Sequence, residues 1–92
     1  MQLVVEFFGL PRRLSGAKQT TVHVSPGATL HNVVAELAAQ FPAFVGPLID
    51  PMNQTLKEPY FFNIDARRVP KSLDYQPKEG EKLLLLFLEA GG

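Results

Sequence analysis

Residues 83–88 read LLLLFL, six consecutive apolar side chains, preceded by Lys82 and followed by Glu89. In a strand, successive side chains point to opposite faces. The run therefore sets Leu83, Leu85 and Phe87 on one face and Leu84, Leu86 and Leu88 on the other. It is far too short to cross a bilayer as a helix. It also has no polar face to offer to water, so a strand from Lys82 to Leu88 belongs in the middle of a sheet. Every other segment has to be arranged around it.

The best neighbour is the first strand, read over Gln2 to Phe8. Leu3, Val5 and Phe7 share one face, with Val4 and Phe8 joining Glu6 on the other. Gly9-Leu10-Pro11 ends it, and Arg12 to Lys18 reads as a turn pivoting on Gly16. Gln19 to Val24 then alternates, Val22 and Val24 against Thr21 and His23, which suggests a hairpin with the first strand. After Ser25-Pro26-Gly27, the segment TLHNVVAELAAQF carries one helical stripe: Leu30, Val33, Val34, Leu37, Ala38 and Phe41. Thr29 is the expected N-cap and Pro42 the stop.

Pro42, Pro47, Pro51 and Pro59 exclude a long regular element between Ala43 and Pro59. Phe44, Val45, Leu48 and Ile49 are expected to anchor this loop on the core. Tyr60 to Asp65 resumes a strand, with a turn at Ala66-Arg67 and a short partner around Arg68 to Pro70. The order β-β-α-β-(β)-β supplies a single amphipathic helix, enough to cover one face of the sheet. The fold class expected is α+β, a ubiquitin-like β-grasp: a mixed sheet of four to five strands with one main helix on one face. Ninety-two residues fit one small domain. Its expected body is 1–88, followed by a tail at 89–92.

Several function classes are disfavoured. Formal net charge is zero, with no basic excess to neutralise phosphates, so no nucleic acid partner is expected. Without cysteine there is no disulfide, thiolate metal site or thiol nucleophile. The start MQLVVEFFGL lacks the charged region and long apolar stretch of a signal peptide, so the expected location is cytoplasmic, with no membrane partner. His23 and His31 have no ligand cluster nearby in sequence, and no metal site is expected. Asn53-Gln54-Thr55 matches a glycosylation acceptor only by coincidence in that setting. The pairs Arg12-Arg13 and Arg67-Arg68 read as solvated turn residues or as a rim that guides an acidic partner.

Past Leu88 come Glu89, Ala90, Gly91 and Gly92, with no large apolar side chain to anchor them. Glycine is costly to order, so this tail is expected to be mobile, and four extended residues reach about 13 to 14 Å. Two glycines present no Cβ to the walls of a narrow channel, and the α-carboxylate of Gly92 is the tail's distinctive group. A frayed end or a cloning remnant is the other reading. The outer sheet face favours the functional one: Leu84, Leu86 and Leu88, with Phe8 from the first strand, form an apolar patch beside the tail, the kind of surface that binds partners. Cover by the Ala43–Pro59 loop, or self-association, is the competing explanation.

VEFFG followed by Arg12 or Arg13 and Leu14-Ser15-Gly16, GATL opening the helix, and KEGEKLLLLFLEAGG together resemble the ubiquitin-like sulfur carriers. That family includes the small subunit of molybdopterin synthase and the thiamine-biosynthesis sulfur carrier. The resemblance covers essentially the whole chain, and its strongest parts are Gly80-Glu81, the apolar strand and the closing Gly91-Gly92. It implies a substrate of enzymes, not an enzyme by itself. An adenylating enzyme using ATP and magnesium activates the Gly92 carboxylate, and a sulfur donor displaces AMP to leave a thiocarboxylate. An acceptor enzyme, such as a molybdopterin synthase large subunit, receives the sulfur. The chain itself is expected to bind no cofactor. Gly91 serves the same chemistry, while Glu89 and Ala90 join Phe8, Leu84, Leu86 and Leu88 in partner binding. The FFG and Leu-Ser-Gly stretch is closest to the molybdopterin branch, which is the first expectation. KLLLLFLEAGG is also similar to the thiamine type, and Leu48-Ile49-Asp50-Pro51 to carriers used in cysteine biosynthesis. tRNA thiolation, and protein modification through Gly92, use the same tail.

Overall fold

The computed structural model describes residues 1–87 of the chain. The readings placed on Leu88, Glu89, Ala90, Gly91 and Gly92 lie outside the described residues. Four strands form one mixed sheet in the order β2-β1-β4-β3, with β1 at Gln2–Phe7, β2 at Gln19–His23, β3 at Phe61–Ile64 and β4 at Lys82–Leu86. The two-faced apolar strand sits where its pattern requires, parallel to β1 and antiparallel to β3. The first strand stops at Phe7, one residue short of the reading, and Phe87 lies beyond the end of β4.

Helix α2 (Leu30–Gln40) crosses one face. Its stripe of Leu30, Val33, Val34 and Leu37 closes on Leu3, Val5, Phe7, Val22, Phe62, Ile64, Leu83 and Leu85. The cap is at Thr29, as its sequence suggests. The Thr29 N–H donates to Asn32 Oδ1 at 2.9 Å, with Asn standing in for the usual Glu or Gln of a capping box. Two further N–H groups at this helix end, those of Leu30 and His31, donate to the carbonyls of Tyr75 and Leu73 at 3.0 and 3.3 Å. The 72–77 segment thus satisfies donors that a helix cannot pair internally.

Three sequence readings change. The turn expected at Arg12 to Lys18 begins instead as a short helix, α1 (Leu10–Ser15). Pro11 lies in its first turn, where a missing N–H costs nothing, and Gly16 closes it with φ 71° while donating to Arg12 O at 2.9 Å. The short fifth strand at Arg68–Pro70 reduces to one bridge, Ile64 with Arg68. Two residues along that register, the next hydrogen-bonded pair would set Phe62 against Pro70, which has no N–H to give. In the proline-rich loop, a single 3-10 turn at Pro42–Phe44 drives Phe44 into the core beside Leu48 and Ile49, whereas Val45 is exposed.

The connection into β4 is clasped by Glu81. Its carboxylate accepts from the Tyr75 hydroxyl at 2.8 Å, from the Lys78 N–H at 2.7 Å and from Arg68 Nη2 at 3.0 Å. Gly80, at φ 89°, supplies the turn that aims it. Burial raises the Tyr75 pKa above its ordinary 10.0, and the Glu81 carboxylate pushes the same way, while Arg68 opposes both. The folded-state pKa therefore lies above the unfolded one. Tyr75 contributes stability that is complete below pH 10 and is lost as pH rises through the folded value. Tyr75→Phe is expected to flatten the alkaline fall in the unfolding midpoint, which melts run up to about pH 11 would show.

Candidate functional site

Because β1 and β4 run parallel, both deliver their C-terminal ends to the same rim of the sheet. The chain leaving β1 enters α1 there, and the chain leaving β4 passes Phe87 at that rim. The Phe87 ring meets Tyr60 edge-on, with centroids 5.1 Å apart. Any arm continuing from residue 88 starts from this aromatic shoulder.

On the sheet face opposite α2, register builds rows of side chains. Glu6, Leu84 and Asn63 form one row across β1, β4 and β3, and Val4 and Lys82 flank it. The next row, nearer the rim, sets Leu86 beside Phe61, with Phe8 following β1 and donating its N–H to Leu85 O at 3.2 Å. Arg12 reaches back from α1. Its guanidinium carbon lies 5.5 Å from the Phe8 ring centre, and its Nε donates to Phe7 O at 3.1 Å. A cation over an aromatic face holds the ring in place. At the other end of the patch, Lys82 and Glu6 pair at 3.0 Å.

Of the site residues read from the sequence, Phe8, Leu84 and Leu86 come together on this face. All three are half-buried, less open than the sequence pattern suggests. Cross-strand neighbours explain the difference, since each side chain is shielded by the row beside it. The loop between Ala43 and Pro59 is not the cover, because its anchors Phe44, Leu48 and Ile49 point into the helix-side core. Val4 and Phe61 belong to the same surface. The alternation in YFFNID could have shown Phe61, since it opposes the buried Phe62 and Ile64. Asn63 Oδ1, in the middle of this face, is buried without a hydrogen-bond partner.

Among the described residues no group of three or more His, Asp or Glu side chains could hold a metal ion. No described helix is long and apolar enough to cross a membrane. Arg13 is exposed at the rim beside Arg12, whereas Arg68 is committed to Tyr75 and Glu81.

The architecture defines a ubiquitin-like β-grasp protein. SAMP1 of Haloferax volcanii superposes with a TM-score of 0.84 over 100% of both chains at 17% identity. A second crystal structure of that protein calls it a small archaeal modifier protein. A putative molybdopterin converting factor subunit 1 from Pyrococcus furiosus gives 0.67 at 19% identity, covering 91% of this chain and 93% of its own. The Amycolatopsis orientalis BexX/CysO complex contains a chain matching at 0.70 and 19% identity over 98% and 99%. No protein-family model matches the sequence, and no curated protein matches it. The fold agrees with that of the sulfur carriers which the sequence resembles.

Proposed function

We propose that this protein is a sulfur carrier whose working group is the α-carboxyl of Gly92. The observation that carries the reading is the Phe8, Phe61, Leu84 and Leu86 surface at the rim where β4 delivers the chain towards Gly92. A partner that grips this face holds the following residues within reach of its own active site. A Gly92 carboxylate oxygen attacks the α-phosphorus of ATP on the activating enzyme and pyrophosphate leaves. Magnesium acts on that enzyme. Sulfide then attacks the acyl carbon, AMP departs with the electrons of the broken C–O bond, and a thiocarboxylate and a proton remain. Unhindered glycine suits an acyl carbon that must accept a nucleophile.

Sulfur delivery to a molybdopterin synthase large subunit is the first branch, supported by the likeness to the converting factor subunit. Thiamine, cysteine and tRNA thiolation pathways use the same step, and the CysO likeness supports a partner-held acceptor. The higher TM-score to SAMP1 favours a second reading, in which the activated Gly92 is passed to a lysine amine on a target protein. The test incubates the chain with an adenylating enzyme, ATP, magnesium and sulfide and weighs it intact. One oxygen replaced by sulfur at Gly92 supports the carrier; an unchanged mass in a system that loads a control carrier refutes it. Gly-Gly remnants of this chain on lysines of other proteins support the modifier.

The docking face gives its own prediction. Leu86→Asp places a charge between Phe61 and Phe8, and is expected to weaken the complex with the adenylating enzyme more than tenfold, read by titration calorimetry. Leu86 is half-buried, so circular dichroism should confirm that the sheet persists.

A further inference from the structure

A second surface lies on the helix side and meets the face just described at Phe61, which borders both. Leu56, Tyr60, Val69, Pro70 and Leu73, with Phe62 and Leu30 at the floor, enclose a groove of about 190 Å³ beyond the edge of β3. Its outer wall is the segment 69–72. That wall is tied at one end by the Ile64–Arg68 bridge and at the other by Leu73 and Tyr75, whose carbonyls take the N–H groups at the start of α2. Between those ties, Val69, Pro70 and Lys71 make no backbone hydrogen bond to the described residues. The groove is therefore held open by its ends and not zipped shut as a fifth strand.

Its size and charge indicate what it takes. Small-molecule sites usually measure about 300 Å³ or more. A cavity of about 150 Å³ already holds a benzene-sized group. The groove matches one large side chain. Val69, 54% exposed, leaves an apolar lip at the mouth. Among the described residues Lys71 is the only charged one that lines it, and none of the ion pairs among them involves Lys71. An apolar slot with one uncommitted cation at its mouth is complementary to an apolar side chain next to a carboxylate.

We propose that this groove docks a short acidic segment of a partner protein, inserting one aliphatic or aromatic side chain between Leu56, Val69 and Leu73 while an adjacent Asp or Glu pairs with Lys71. The groove and the Leu84–Leu86 face border each other at Phe61 on the edge strand β3, so a segment held in the groove sits beside the face proposed to present Gly92.

The test selects binders from a displayed library of random peptides and maps the winners by amide chemical shifts on the full chain. Enrichment of an apolar residue beside Asp or Glu is expected, with shifts at Leu56, Val69, Lys71 and Leu73. Val69→Glu is expected to cut affinity about tenfold or more. Lys71→Glu is expected to weaken binding and to remove its dependence on salt. Both positions are exposed, so folding and sulfur loading at Gly92 should be unchanged; loading is read separately, so loss of either reading is told apart. No enrichment, shifts confined to Leu84 and Leu86, full affinity in Val69→Glu, or self-association of the chain through the groove would each overturn the proposal.

Discussion

Removing Gly91 and Gly92 is expected to abolish sulfur loading while leaving the thermal unfolding midpoint unchanged. The buried cluster of the described residues runs from Leu3 to Leu85, and the last ladder pair joins Phe61 with Leu86. That framework closes within the described residues. The proposed chemistry, by contrast, calls on Gly91 and Gly92 entirely, since a chain cut after Ala90 carries its terminal carboxylate two residues earlier. A milder variant sharpens the result. Gly92→Ala keeps the carboxylate but adds a Cβ beside the acyl carbon, and a misplacement of about 1 Å at a reacting centre can cost about 100-fold. Loading followed by intact mass against time should show no product for the deletion and a slow one for the alanine variant. Sulfur appearing in a chain without Gly92 would disprove the assignment of the reacting group.

The placement of the strands was legible because one segment left no freedom. Residues 83–86 have no polar side chain, so β4 could only be central, and β1, apolar on parts of both faces, could only lie beside it. Helix α2 was legible for the complementary reason: a stripe over three turns is long enough to fix period and cap. Helix α1 was not. Six residues span fewer than two turns, and Gly-Leu-Pro signals a strand's end as readily as a helix's beginning. The fifth strand failed on one atom, the N–H that Pro70 lacks, which a pattern of apolar alternation does not register.

The candidate site divides along the same line. Phe8, Leu84 and Leu86 share a face by alternation alone, which two-residue periodicity shows. That Arg12 lies over Phe8, and that Phe61 neighbours Leu86, depends on register between strands distant in sequence. The half-burial of the patch comes from those same neighbours. A surface built of shielded leucines and phenylalanines, with the Lys82–Glu6 ion pair at one end, leaves little apolar area open and still has some to give to a partner.

Phe44→Ala is expected to be the most damaging single substitution in the proline-rich loop, and its neighbour Val45→Ala among the mildest. The two residues are adjacent and both apolar, and sequence alone gives them equal weight as anchors. The 3-10 turn separates them: Phe44 is fully buried, while Val45 is 38% exposed. Phe44 stacks on Phe41 at 5.0 Å and meets the Phe7 ring edge-on at 5.4 Å, so it joins α2, the loop and β1 in one aromatic cluster. Truncating a buried phenylalanine costs about 3–5 kcal/mol, the lost transfer energy plus the cavity left behind. Domains of this size hold about 5–15 kcal/mol in all. The expected drop in unfolding midpoint is on the order of 20 °C. Val45→Ala should stay within about 0.5 kcal/mol of the parent. Urea titration of both variants checks the contrast, and equal destabilisation would mean that the loop rests on the core through both side chains. Because Phe7 immediately precedes Phe8 at the rim, the loss at Phe44 should also loosen the docking face, so Phe44→Ala that folds at low temperature is expected to load sulfur more slowly than Val45→Ala.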